Sequence, residues 1–168
     1  MDTLAFIAYN HAKKLHRSTL LNMLTVYFDE ITWNNPKDKV PKHFLPKLIG
    51  VIAEEISKYK EWLYLCEKDS EFIGFCLFQI DTADNVMCKR EGWGFIREFY
   101  VAVPYRRRGY ARQMCIFAEN KILQYKPTGI YLTADKNGIL FWEAMGYTKS
   151  GKADEKNGNE IYEKYCAE

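Results

Sequence analysis

The sequence predicts an α/β domain of the α+β kind, a central mixed but mostly antiparallel sheet of six to seven strands flanked by about four helices. Three observations lead there. Two amphipathic helical stripes open the chain, strand-like runs joined by short turns follow, and a β-rich run at 93–103 feeds a basic, Gly-containing loop where another helix starts.

Taken in order, Thr3 to Tyr9 is apolar and short, so it reads as a first strand or as the start of a helix. From about His11 to Ile31 the apolar residues Leu20, Met23, Leu24, Tyr27, Phe28 and Ile31 recur at helical spacing and give one apolar face. Prolines and asparagines in T-W-N-N-P-K-D-K-V-P-K end that helix in a surface loop. Leu45, Leu48, Ile49, Ile52, Ala53, Ile56 and Tyr59 then trace a second helical stripe. Trp62 to Glu67 and Phe72 to Ile80, separated by K-D-S-E, predict an antiparallel hairpin, with Gly74 marking a bulge or a close backbone approach. The polar segment from Asp81 to Gly92 reads as a loop or a frayed hairpin end.

Trp93 to Val103 is the next strand. Beyond its loop, Ala111, Met114, Cys115, Ala118 and Ile122 form the buried stripe of a helix that Pro127 and Gly129 close. A strand at Ile130 to Ala134, a turn at Asp135 to Gly138 and a short helix from Ile139 to Met145, stopped by Gly146, follow. Tyr147 to Ser150 and Glu160 to Tyr165 flank a polar loop whose Asn157-Gly158 is a hairpin signal.

At 168 residues and 19.8 kDa, with 48% hydrophobic and 27% charged residues, the chain reads as one soluble globular domain spanning 1–168. No segment reaches the unbroken apolar length of a membrane span, and the first residues lack the basic region of a secretory signal. The net charge of +2 is unevenly placed, −2 over residues 1–84 and +4 over 85–168. That modest bias suits a small anionic ligand better than nucleic acid. Cys66, Cys76, Cys88, Cys115 and Cys166 show no metal-like spacing and read as reduced thiols, and His11, His16 and His43 as surface or helix residues.

The chemistry starts at V-A-V-P-Y-R-R-R-G-Y-A, Val101 to Ala111. A strand turning through a tight loop into a helix leaves backbone N–H groups unpaired and aimed at one spot, where the helix dipole favours negative charge. Gly109 lets phosphate oxygens approach the backbone, and Arg106, Arg107 and Arg108 add fixed positive charge. The loop has neither the Lys-Ser/Thr of a nucleoside-triphosphate loop nor a G-x-G-x-x-G fingerprint. Its pattern is R-x-x-G-x-A.

This pattern resembles the coenzyme A pyrophosphate loop of the GNAT superfamily of N-acetyltransferases. D-K-N-G-I-L-F-W-E-A-M-G-Y is similar to the family's second signature through Asn137, Phe141-Trp142, Gly146 and Tyr147, and the order of elements matches that fold. The likeness spans nearly the whole chain, the N-terminal third in order of elements only. It implies acetyl-CoA as co-substrate and no metal. The partner would be a small-molecule or peptide amine, without nucleic acid or membrane, in the cytoplasm, with a homodimer as an open alternative.

Residue by residue, the resemblance implies that the backbone at Phe99, Val101 and Val103 pairs with the pantetheine arm. The N–H groups of Arg107, Arg108, Gly109, Tyr110 and Ala111 would hold the pyrophosphate, helped by Arg106, with Asn137 and Phe141 beside the arm. An N–H near Val101 would face the developing oxyanion. Glu98 would be the base; an amine of pKa near 10 is only about one part in a thousand neutral at pH 7, so its proton needs an acceptor. Glu98 is otherwise a surface strand residue or a partner of Arg97. Many members return a proton to the thiolate from a Tyr on the short helix, where Trp142 stands here and has no useful proton to give. Tyr147 is named as that acid, with Tyr131, Tyr110, Tyr100 or water left open. Tyr27, Asp29, Glu30 and Trp33, with Asp81 and Asp84, are the residue types that attract and stack on a cationic amine. The expected activity is acetyl transfer to an amine; a coenzyme A-binding sensor without turnover is the alternative.

Overall fold

A seven-stranded sheet in the order β1-β2-β3-β4-β5-β7-β6 runs through the computed structural model, which describes residues 3–31 and 39–167. Its strands are β1 (Ala5–Ala8), β2 (Glu61–Lys68), β3 (Glu71–Ile80), β4 (Gly94–Val101), β5 (Gly129–Thr133), β6 (Thr148–Ala153) and β7 (Glu160–Tyr165). Every pair is antiparallel except β4 with β5. The first apolar run is therefore a strand, pairing Ala5 to Ala8 with β2.

Helices α1 (Lys14–Ile31) and α2 (Leu45–Lys58) bring the predicted stripes onto one face of the sheet. Leu20, Leu24, Ile49 and Ile52 are buried there against Leu63, Leu65, Phe75, Leu77 and Tyr100. Helix α3 (Tyr110–Leu123) covers the opposite face, burying Met114, Cys115, Ala118 and Ile122 with Ile73, Cys76, Phe78 and Ile96. The short α4 (Ile139–Ala144) lays Trp142 on the same core. The strand predicted to reach Val103 ends at Val101, because Pro104 sits in a 3₁₀ turn at Val103–Tyr105 that leads to the basic loop.

Both predicted properties of Gly74 hold. The β2–β3 register slips beside it, between Cys66 and Glu67, and a Cβ on Gly74 would lie 2.3 Å from the Tyr100 carbonyl oxygen. Gly74→Ala must push β3 and β4 apart. The expected cost is about 1–3 kcal/mol of stability, read from the denaturant midpoint; an unchanged midpoint would show that the strands accommodate the methyl group.

Two departures from regularity in β4 matter most. Its pairing with β3 shifts between Leu77 and Phe78, so that Leu77 faces Glu98 and Phe78 faces Ile96, leaving Arg97 as an extra residue. Its pairing with β5 is confined to Gly94 with Ile130 and Phe95 with Tyr131. Beyond Phe95 the two strands part.

Candidate active site

The gap between β4 and β5 opens a cavity of about 320 Å³. Ile96, Phe99 and Val101 of β4 and Leu132 and Thr133 of β5 line it, with Asn137, Phe141 and Trp142 from the segment that follows β5. Tyr27, Glu30 and Ile31 enter from the last turns of α1, and Arg106 and Ala111 from the basic loop.

The bulge decides where Glu98 points, and Glu98 itself is not among the residues that line the cavity but reaches it through Tyr27. In a regular strand Glu98 would share a face with Ile96, towards α3. One extra residue reverses that, so Arg97 and Glu98 both turn to the side of α1 and α2. Arg97 donates to Glu55 of α2 and Glu61 of β2, each at 2.8 Å. Glu98 accepts the Tyr27 hydroxyl proton at Oε2, 2.5 Å away. Burial pushes the Glu98 carboxyl above its ordinary range, while the Tyr27 hydrogen bond and the Arg97 charge pull it part of the way back. Burial and the Glu98 charge push the Tyr27 hydroxyl up as well, so it stays protonated.

The basic loop has the form the sequence predicts for an anion cradle. Gly109 caps α3 with φ +82°, Arg107 before it lies at φ +61°, and nothing lies within 4 Å of where a Gly109 Cβ would stand. Two left-handed positions so close together at a helix start favour turning N–H groups to one side. Arg107 and Arg108 are exposed, whereas Arg106 folds back: its Nε donates to the Val101 carbonyl at 2.7 Å, and a terminal nitrogen pairs with Glu30 at 2.5 Å. In this state Arg106 therefore bridges β4 and α1 instead of facing the cradle.

The other predicted residues divide. Phe99, Val101, Ala111, Asn137, Phe141, Tyr27 and Glu30 line the cavity, and Phe99, Phe141 and Trp142 pack as an aromatic wall with ring centroids 4.9–5.7 Å apart. Val103 is exposed in the 3₁₀ turn, and Tyr110 is buried at the start of α3. Tyr147 does not line the cavity: it is 1% exposed, and its hydroxyl donates to Glu119 at 3.0 Å. Tyr131 likewise donates to Asp81, at 2.6 Å. Asp29 and Asp84 are exposed and away from the cavity, and Asp81 is buried with its oxygens already taken. Trp33 lies outside the described residues. Of the cysteines, Cys66, Cys76 and Cys115 are buried and free, and burial pushes their thiols up, Cys66 to about 12. None is an activated nucleophile.

Sequence reasoning missed Asp135, whose Oδ1 accepts the Asn137 N–H at 2.8 Å and so sets the turn that presents Asn137. The D-x-N spacing was a usable signal. It also missed the Arg97–Glu55–Glu61 cluster, for which no local signal exists.

Glu61 is 1% exposed, and burial together with Glu55 pushes its carboxyl up to about 7 against the pull of Arg97. Gln79 is its register partner on β3, and among the described residues each leaves one buried oxygen without a hydrogen-bond partner, so a protonated Glu61 supplies the donor this pair lacks. A carboxyl that binds its proton more tightly when folded favours the folded state in acid. That contribution, of order 3 kcal/mol, is lost as pH rises from about 4.5 to 7. Glu61→Gln is expected to raise the melting temperature at pH 8 and to leave it nearly unchanged at pH 5. An equal effect at both pH values would show that Glu61 is ionised throughout.

Comparison with known proteins agrees with this geometry. A family model described as the acetyltransferase (GNAT) family matches residues 25–147. No curated protein matches the sequence. Among solved structures, the chain is similar to the Thermoplasma acidophilum PaiA N-acetyltransferase in complex with coenzyme A, with 13% identity, 98% of this chain and 99% of that one covered, and a TM-score of 0.72. A GNAT-family acetyltransferase from Staphylococcus aureus Mu50 gives 15% identity, 97% and 99% coverage, and a TM-score of 0.72. Tetrahymena GCN5 gives 18% identity, 96% and 95% coverage, and a TM-score of 0.63. At these identities the likeness is one of fold.

Proposed function

The chain belongs to the GNAT acetyltransferase family, and from that premise we propose that it transfers an acetyl group from acetyl-CoA to a primary amine of a small molecule or peptide in the cytoplasm. One observation carries the reading. A single cavity includes Ala111, the last residue of the anion cradle, Arg106 turned aside from it, and the Tyr27 ring whose hydroxyl reaches Glu98.

The cradle fits the diphosphate of the cofactor, since open space lies in front of Gly109 where oxygens would approach the N–H groups of Arg107 to Ala111. Arg107 and Arg108 supply charge beside it. The part of β4 left without a β5 partner, around Phe99 and Val101, offers backbone groups for the pantetheine arm, with Asn137 and Phe141 alongside and Val103 in the turn beyond the strand. Bound there, acetyl-CoA supplies an acyl group activated as a thioester.

The chain's own part is to prepare the amine. Tyr27 passes its proton to Glu98 Oε2 while taking one from the acceptor ammonium, so that Tyr27 ends neutral and Glu98 protonated. Glu30 lines the cavity with Oε2 on Arg106, and its Oε1 is buried and, among the described residues, without a hydrogen-bond partner, so its carboxylate is a negative charge near to hand for an ammonium group. Tyr147, committed to Glu119, takes no part in this scheme.

A second reading, a coenzyme A-binding module without turnover, is favoured by the Phe141–Trp142 wall, which offers no hydroxyl to return a proton to a thiolate. Two measurements separate them. Calorimetry with coenzyme A should show binding, and release of free thiol from acetyl-CoA should appear with at least one of a panel of small amines, peptide N-termini and lysine peptides. Binding with no release across the panel supports the second reading. Absence of coenzyme A binding overturns both.

A further inference from the structure

The charged residues that line the candidate active-site cavity are Glu30, Arg97, Arg106 and Asp135. Both guanidiniums are already matched: Arg97 holds Glu55 and Glu61, and Arg106 holds Glu30. Asp135, by contrast, has no ion-pair partner among the described residues. Its neighbour Lys136 is exposed and does not line the cavity.

The turn after β5 holds this carboxylate in place. Asp135 opens the turn, and the Gly138 N–H donates back to its carbonyl at 2.9 Å. Side-chain Oδ1 accepts the Asn137 N–H at 2.8 Å, which pins the carboxylate against its own backbone. Among the described residues Oδ2 is left without a donor. The residue is partly buried, and Leu132, Phe141 and Trp142 line the same cavity, so water screens its charge less than on an open surface.

Asp135 also acts on the group that receives the acceptor's proton. Burial, then Glu98 through its charge and hydrogen bond, then the Asp135 charge push the Tyr27 hydroxyl up, and Tyr27 and Asp135 line one cavity. With Glu55, Glu61 and Glu98 behind the wall counted as well, the carboxyls outnumber the guanidiniums even when Glu61 is protonated. The field inside therefore favours a cation.

An amine with a pKa of about 10 arrives at neutral pH as its ammonium ion. We infer that Asp135 binds that ion and makes the site select cationic acceptors, Oδ2 accepting a hydrogen bond from the ammonium group beside the Tyr27 hydroxyl. The assignment rests on the acetyl-transfer reading, which supplies the cation. Asp135 acts in binding alone, since a carboxylate beside an ammonium group favours its charged form, and the proton leaves through Tyr27 to Glu98.

The test is a titration of the folded, coenzyme A-saturated protein with benzylamine and with benzyl alcohol, which has nearly the same shape and no charge. Amide nuclear magnetic resonance spectra report where each binds. The wild type should bind benzylamine about tenfold more tightly than benzyl alcohol, with shifts at Tyr27, Glu30 and Asp135 to Asn137. Asp135→Asn keeps an oxygen for the Asn137 N–H and removes the charge. It should weaken benzylamine about tenfold and leave benzyl alcohol, coenzyme A affinity and the melting temperature as they were. With an amine that is turned over, the same variant should raise KM and leave the acid limb of the pH profile in place. Equal affinity of the wild type for the two probes, unchanged benzylamine affinity in the variant, or an equal loss of both probes would each overturn the assignment. A wild type that does not bind coenzyme A would count against the acetyl-transfer reading instead, and the same titrations without coenzyme A would still decide the role of Asp135.

Discussion

Replacing Glu98 by Gln is expected to lower kcat/KM by about 10²–10⁴-fold and to leave coenzyme A affinity unchanged, because the substitution removes the proton acceptor and little volume. The wild-type rate should fall as pH drops through the raised Glu98 value, since a protonated Glu98 cannot accept. Tyr27→Phe refines the test. The Tyr27 hydrogen bond lowers the Glu98 carboxyl, so its loss should move the acid limb of the pH profile to higher pH as well as cutting the rate. A merely structural Glu98 would change stability without moving that limb. If the Gln variant kept the wild-type limb, proton removal would belong to another group.

Gly109→Val is expected to lower coenzyme A affinity about a hundredfold or more with the fold intact. Two effects combine at this position. At φ +82° a β-branched residue is strained by about 1–3 kcal/mol, and its side chain would project into the open space before the cradle. Losing two charge-assisted contacts to backbone N–H groups, each about 1.5–3 kcal/mol, accounts for the rest. Calorimetry reads the affinity, and the melting temperature separates it from unfolding. Gly109→Ala should fall between the variant and wild type, since it brings the strain with less bulk. Wild-type affinity in the Val variant would place the diphosphate elsewhere.

Arg106 shows how far such reasoning from sequence reaches. Its place in R-x-x-G-x-A predicts a phosphate contact, whereas the folded chain turns the guanidinium to the Val101 carbonyl and to Glu30, 76 residues earlier. Nothing near residue 106 announces Glu30. Tyr147 follows the same logic, for its position after Gly146 names it, and the burial that takes its hydroxyl to Glu119 depends on α3.

What the sequence by itself determined was the local architecture: the helical faces, the hairpins, the turn at Asp135 to Gly138 and the tight basic loop that opens α3 at Gly109. Each depends on residues a few positions apart, so periodicity, prolines, glycines and caps suffice to specify it. Only the tertiary structure decided the rest. Whether β4 bulges at Arg97 turns on that guanidinium reaching Glu55 and Glu61 on two other elements, and the bulge swings Glu98 from the α3 face to Tyr27. The raised Glu98 carboxyl and the parting of β4 and β5 likewise depend on contacts between distant elements. Strand register and desolvation are set by contacts between segments distant in the chain, and these exist only once the sheet has assembled.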